Sequence, residues 1–472
     1  MTRYSPALLL SLLLGACAVG PDYTPPVTPS AELQSADLHT FVATTPEAAW
    51  WAQLGDAELD SLVTRALGAN LDLQLAVDRV RQARAVFAGE KYDYAPHVPI
   101  GVSYTRSDQQ QPGLGDSPVE VDQYRLGFDA TWEIDLFGHV RRSVEAAQAD
   151  LEAEQAALRT AQVMVAAEVA RNYFELRGAQ RRIAVARSNL DNAGETLDQT
   201  QARYRIGSIS QLDVFRSRSQ FKAVEARIPP LQVAERRAAF RLAVLLGQRP
   251  GALDAELEPT RIATYAKALP IGNAADLLRR RPDVRVAERR LAAATARVGV
   301  ATAELFPRVN VTGFVGFLSG SAGDLFDFSA DGGRAWSVTP TVSWAAFDFG
   351  SLRARLRASE AQADAALTGY HKAVLVALED TENSLTAYAK EQRRLHSLVE
   401  QADAASRAAD MATLQYRAGA VDFLDLLDAQ RIQLEAEDNV AASEAAVNVS
   451  VAGVYKALGG VGQPDVPYLS AN

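Results

Sequence analysis

The chain has 472 residues, 48% of them hydrophobic and 22% charged, with 48 basic against 58 acidic side chains and one cysteine. That length exceeds one ordinary core and argues for two units or an elongated assembly. The net charge of −10 comes without a basic patch of the kind that grips phosphates, and a lone cysteine excludes an intrachain disulfide.

Residues 1–16 read as a secretory signal, with Arg3 ahead of an apolar run at 7–14. The signal ends in Leu14-Gly15-Ala16-Cys17, which resembles the lipobox of bacterial lipoproteins, where the cysteine becomes the mature N-terminus and carries lipid. Ala18 follows, not the aspartate of an inner-membrane retention signal, so the outer membrane is favoured. An ordinary signal with a chance cysteine is the alternative. Residues 17–50 form a tether, extended over Gly20-Pro21-Asp22-Tyr23-Thr24-Pro25-Pro26. No run of 18 apolar residues exists after residue 20, so no transmembrane helix is expected in the mature chain.

Two repeats follow at a fixed offset of 212 residues, 51–246 and 274–458, with a Pro-rich linker at 247–273 and a loop-like tail at 459–472. Tyr204-Arg205-Ile206-Gly207 matches Tyr416-Arg417-Ala418-Gly419, Trp132 matches Trp344, and Phe137-Gly138 matches Phe349-Gly350. Each repeat opens with an apolar seam stepping by three and four, from Leu59 to Phe87 and from Val284 to Leu305, which predicts a long amphipathic helix. Alternating segments come next. Val98, Ile100, Val102 and Tyr104 precede Tyr124, Leu126, Phe128, Ala130, Trp132 and Ile134; Val309 to Phe317 and Trp336 to Trp344 repeat the pattern. Such a period suits a membrane barrel strand and equally a half-buried sheet packed on helices. A helix of about 100 Å is predicted over 139–206 and again over 351–418, neither containing proline. Its seam steps by seven through Val144, Leu151, Leu158 and Val165, then through Leu176, Ile183, Leu190, Leu197 and Tyr204. A last helix near 211–246 is broken by Pro229-Pro230.

Four strands cannot close a barrel, so membrane strands would need neighbouring chains. The whole set of features is similar to the TolC-like outer-membrane factor family, in its lipoprotein branch: the channels of resistance-nodulation-division tripartite efflux systems. The residues carrying the resemblance are the lipobox with Gly20-Pro21-Asp22-Tyr23, Trp50-Trp51, the stretch from Asp276 to Val284 with its Arg279-Arg280-Arg281-Pro282-Asp283, Ile228-Pro229-Pro230-Leu231, the Phe-Gly pairs and the two Tyr-Arg-x-Gly turns. The resemblance implies a mainly α fold with membrane β: a homotrimer whose helical tunnel continues into a 12-stranded outer-membrane barrel. It also implies a passive duct for small molecules, with a periplasmic adaptor and an inner-membrane pump as partners. A type I protein-secretion duct and a pore-free coiled-coil lipoprotein are the competing readings.

On that basis Tyr104, Tyr124, Phe128, Trp132, Trp336 and Trp344 are expected to face outer-membrane lipid. The turns at Gly207 and Gly419, with Arg205, Ser208, Leu212, Arg417 and Val421, are expected to meet the adaptor. Asp425 and Asp428 share a helix face. With Leu424, Arg431, Asp213 and Arg216 they are the candidate periplasmic gate, held closed by an Arg216–Asp428 type contact or one using Arg431. Arg279-Arg280-Arg281 reads as a solvated or ion-paired helix start. His39, His97, His139, His371 and His396 lack ligand spacing, so no metal site is expected. Neither a catalytic residue nor a nucleic-acid surface is expected; Cys17 would carry the only covalent group, a lipid.

Overall fold

The computed structural model describes residues 18–27, 33–35, 40–44, 49–110, 118–260, 268–272, 274–326 and 333–460. The signal, Cys17, His39 and most of the tail lie outside them. After a short strand β1 (Phe41–Val42), the first repeat contains α1 (Ala57–Ala69), α2 (Leu71–Tyr92), β2 (Ile100–Gln109), β3 (Val119–Ile134), α3 (His139–Arg205), α4 (Gln211–Glu225) and α5 (Ile228–Leu245). The linker adds β4 (Leu269–Pro270), which pairs with β1. The second repeat contains α6 (Ala274–Arg280), α7 (Pro282–Ala303), β5 (Arg308–Ser319), β6 (Arg334–Ser343), α8 (Phe349–Arg417) and α9 (Phe423–Ala457).

The chain divides into two compact units, one of residues 1–27, 79–155 and 286–372, the other of 28–78, 156–285 and 373–472. Both draw on both repeats. The first holds the antiparallel sheet β2-β3-β5-β6, in which β3 of one repeat pairs with β5 of the other over Tyr124↔Ser319 to Ile134↔Val309.

The second unit holds the main core. Trp50 stacks on Tyr455 at 4.7 Å, and Leu59, Leu62, Val169, Leu242, Leu385 and Val451 are fully buried around them. Tyr173 donates its hydroxyl to Asp56 at 2.7 Å, and Asp56 caps α1 by accepting from the N–H groups of Glu58 and Leu59. Burial, then the bond to Asp56, pushes the Tyr173 hydroxyl above its ordinary range.

Three sequence expectations are corrected or narrowed here. The single helix expected over 57–92 breaks at Asn70. That buried side chain accepts from the N–H groups of Asp72 and Leu73, capping α2, and donates its amide to the Leu245 carbonyl at 2.8 Å. One residue thus satisfies orphan groups at two helix ends. At the corresponding joint of the second repeat stands Arg281, which is only 5% exposed, so of the two alternatives read from the sequence it is the ion-paired helix start and not the solvated one. Its guanidinium donates to the carbonyls of Ala457 (2.7 Å) and Ala377 (3.2 Å) and pairs with Asp283 (2.7 Å) and Asp380 (3.4 Å). The third correction is to the seven-step seam of α3. Leu176 and Ile183 are buried, but Leu190 is half-buried and Tyr204 is 43% exposed, while Asn189, Ala193, Thr196 and Thr200 take the inner face. An α-helix drifts by about 20° per heptad against a strict seven-step row, so over three heptads the row rotates off the buried stripe.

Arg281→Ala is expected to lower the thermal midpoint of helical circular dichroism by an intrinsic cost of about 2–4 kcal/mol, from the loss of the charged group's hydrogen bonds to two carbonyls, which keep only Thr381 as a side-chain donor. Arg281→Lys recovers only part, because an ammonium lacks the fork. The joint also has an acid limb. Burial raises the Asp283 carboxyl, but the hydrogen bonds and charge of Arg281 and the backbone outweigh it and hold it below the ordinary range. Stability from this group is present above the ordinary aspartate pKa of about 3.9 and is lost as pH falls below it. Midpoints measured from pH 6 down to 3 therefore drop less in Asp283→Asn than in the unsubstituted chain.

Candidate functional site

Strand alternation sorts the sheet into two faces. Register places Ile100, Phe128, Val315 and Trp336 in one row across the four strands, with Val102, Leu126 and Val338, and Trp132, Val311 and Pro340, on the same face. The six expected lipid-facing residues lie here or just beyond: Phe128 is 51%, Trp336 78% and Trp344 53% exposed. Tyr104 and Tyr124 are cross-strand partners with ring centroids 4.7 Å apart. At the helix-side end, Trp132 donates its indole N–H to the Tyr94 carbonyl and Trp344 to that of Leu305, each at 3.1 Å. These equivalent bonds in the two repeats give each tryptophan an apolar body and a satisfied polar tip. The opposite face carries Ser103, Thr105, Gln123, Arg125, Asp129, Thr131, Asn310, Thr312, Ser337, Thr339 and Thr341. Where β3 passes into α3, His139 lies 3.3 Å from Glu133 and 2.9 Å from Arg308, a grouping invisible to spacing along the chain.

The tether is docked in this unit. Val19 donates its N–H to the Phe137 carbonyl at 3.0 Å, and the buried Arg142 pairs with Asp22 at 2.7 Å and Glu145 at 2.8 Å. Tyr23 donates its hydroxyl to Glu288, with the Arg289 guanidinium 5.4 Å from its ring centroid. Ala18, the residue after Cys17, therefore meets the strand–helix link at residues 135–138.

The helical turns belong to the second unit. Gly207 (φ 74°) and Gly419 (φ 75°) take the left-handed conformation that closes a Schellman motif. The N–H of Ser208 reaches the Arg203 carbonyl at 3.0 Å, and that of Ala420 reaches Gln415 at 2.8 Å. Arg205, Leu212, Arg417 and Leu424 are exposed, and Val421 is half-buried. Asp213 and Asp425 have a local task that was not expected. Each accepts the N–H of its N-cap, Ser210 and Asp422, at 3.3 Å, forming capping boxes. Arg216 pairs with Asp213 (3.5 Å) and Arg431 with Asp428 (2.8 Å); among the described residues of one chain the expected Arg216–Asp428 pair does not form. A three-residue separation on one helix favours these local partners. The turns differ chemically. Tyr416, Phe423 and Leu426 pack together behind Gly419, whereas Ile206 (79%) and Phe215 (55%) stand exposed beside Gly207. Sequence reasoning missed this asymmetry, because matched Tyr-Arg-x-Gly motifs conceal different flanks.

A sheet apolar on one face and polar on the other, joined to helices of 67 and 69 residues, defines a channel protein of the outer-membrane type. The chain belongs to the outer membrane efflux protein family, whose model matches residues 62–248 and 274–460, the same offset as the sequence repeat. It is 31% identical over 433 residues to nodulation protein T of Rhizobium leguminosarum bv. trifolii, covering 91% of each chain. It is 32% identical over 470 residues to the pyoverdine export outer membrane protein OpmQ of Pseudomonas aeruginosa, covering 96% of each. The structure of the outer-membrane channel OprN superposes with a TM-score of 0.90 at 45% identity, covering 94% of this chain and 99% of that one. The chain is thus an outer-membrane efflux channel, an exit duct in a family of ducts.

Replacing Asp213 or Asp425 by Ala is expected to cost about 1 kcal/mol locally. Amide hydrogen exchange should accelerate about five-fold over 208–214 or 420–426 respectively. Exchange around Trp50 and Tyr455 should not change.

Proposed function

We propose that three copies of the chain close their sheets edge to edge into one 12-stranded barrel, and that the assembly is a passive duct carrying small molecules out of the cell. The observation that carries this reading is the register of the sheet. One face is apolar across all four strands from the helix-side end as far as Tyr104, Tyr124 and Trp336, with charges (Arg106, Asp108, Glu120, Asp122 and Arg334) only at the far ends of the strands, and β2 and β6 each present an edge to which no described strand pairs. The strands alternate in direction, so β6 of one copy meets β2 of the next antiparallel, and closure removes every edge. The apolar face then touches lipid and the polar face lines water. The long helix α8 supports the same partnership, since Leu375 (67%), Leu414 (65%) and Met411 (60%) need cover.

In this reading the turns at Gly207 and Gly419 meet a periplasmic adaptor, and an inner-membrane pump supplies the energy. Ile206, Leu212 and Phe215 give the first turn an apolar contact surface. Asp428, repeated by symmetry, rings the narrow periplasmic end and favours cations. The duct opens by an iris-like movement of the tips. The pairs Asp428–Arg431 and Asp213–Arg216 are exposed and worth about 0–1 kcal/mol each, so exchanging them for contacts with a neighbouring copy costs little. The lipid is carried by Cys17. Docking of Ala18 at the strand–helix link supports this role, because it brings the N-terminus to the edge of the apolar belt, where an acyl chain reaches membrane.

Purified lipidated chain added to planar bilayers is expected to give discrete conductance steps and a crosslinked trimer. Unlipidated chain that stays soluble and monomeric without detergent would overturn the reading. Asp428→Ala and Arg216→Ala are expected to raise the conductance of the resting channel; unchanged conductance excludes a charge latch at the tips.

A further inference from the structure

The polar face of the sheet carries one large aromatic ring, Phe314, and the fold buries it to 9% exposure; its neighbours on that face are small or polar groups apart from Leu318, opposite Arg125, and Val119 and Val121 at the far end of β3. Register sets Gly101, Gly127 and Gly316 side by side across β2, β3 and β5. The ring lies on this row: a Cβ added at Gly127 would come 2.5 Å from Phe314 Cε2, and one at Gly316 would come 2.9 Å from Cζ. Arg125 covers the other side, its guanidinium 4.0 Å from the ring centroid, and is held there by an ion pair with Asp129. Asp129 in turn lies over Gly101, whose added Cβ would stand 3.2 Å from Oδ2. Glycines, ring, guanidinium and carboxylate form one stack rising from the sheet.

Only four charges stand on this face along the described strands: Arg125, Asp129, Glu133 and Arg308. Arg125 is the farthest from the helices. The rows of β2 and β6 carry small and neutral groups such as Ser103, Thr105, Ser337 and Thr339. Glu133 is four residues from Asp129 along the strand, about 13 Å, beyond the screening length of about 8 Å at physiological salt. Within the stack, therefore, Arg125 and Asp129 compensate each other and nothing else does.

We propose that the stack of Arg125, Asp129 and Phe314 is a charge-balanced selectivity collar of the membrane segment, fixing both its bore and its indifference to the sign of the permeating ion. The proposal rests on the reading of the sheet given above, polar face to water in a closed barrel. Three copies then place three bulky stacks at one level, separated by smooth hydroxyl-lined troughs. The guanidinium also screens the one large luminal ring from apolar cargo, so that the duct does not retain what it exports.

Bilayer recordings under a KCl gradient test this. Arg125→Ala leaves Asp129 uncompensated and is expected to raise the cation-to-anion permeability ratio by about two-fold or more; Asp129→Asn shifts it the opposite way. Phe314→Ala keeps both charges and raises conductance without changing the sign of selectivity. Two further variants separate the collar from the sidedness on which it rests. Arg125→Cys should react with charged methanethiosulfonates from the aqueous phase, the cationic reagent restoring the original selectivity. Phe128→Cys, on the opposite face, should not react. The unsubstituted chain, with Cys17 alone, is the blank. Equal labelling at both positions overturns the sidedness and with it the barrel. Labelling at 125 alone, with selectivity and conductance unmoved in every variant, overturns the collar and leaves the barrel standing.

Discussion

Much in this chain answers to one incompleteness: a sheet of four strands that is largely apolar across one face and, among the described strands, unpaired at two edges. In a monomer such a sheet exposes Trp336, Val338 and Val342 to water and leaves two ladders of peptide groups unsatisfied. Hydrophobic burial and backbone hydrogen bonding both demand more chain than one polypeptide supplies. In the barrel proposed above, membrane and neighbouring copies together would meet both demands. The exposed apolar residues of α8 make the same demand in the helical region.

The repeats solve one joint problem with different chemistry. Where a short helix must end, turn and restart beside the C-terminus of α5 or α9, carbonyls lose their helical donors. Asn70 answers with a neutral amide and a cap; Arg281 answers with a forked cation that also gathers Asp283 and Asp380. The ionic version ties four groups from three segments, the amide version two helix ends. The second joint is consequently the one whose strength depends on protons.

Much of this was legible in the sequence because periodicity is physical. Alternation between Tyr124 and Ile134 reports a pleat, and two seven-step rows with no proline over 139–206 report a long helix. The fixed offset between repeats is shared by the turns and by the tryptophan bonds at the sheet's end. What stayed hidden were effects of long-range contact. Nothing local distinguishes Asn70, one place off a seam stepping regularly from Leu59 to Phe87, from a surface residue; its partner is Leu245. Three consecutive arginines look alike until one is buried. Asp213 and Asp425 read as gate acids because local capping and a pore lining call for the same carboxylate. The stack on Gly127 and Gly316 needs the register of β3 against β5, which no single-strand pattern contains.

The pairing of β3 with β5 welds the two repeats through a shared sheet, and fusion into one polypeptide relieves them of having to remain identical. Six separate half-chains would have imposed one sequence on every position around the ring. In the trimer proposed above, three fused chains would need only threefold symmetry, which leaves alternate corners free to diverge. The bare Ile206 and Phe215 at one turn and the packed Tyr416 and Phe423 at the other are that divergence made visible.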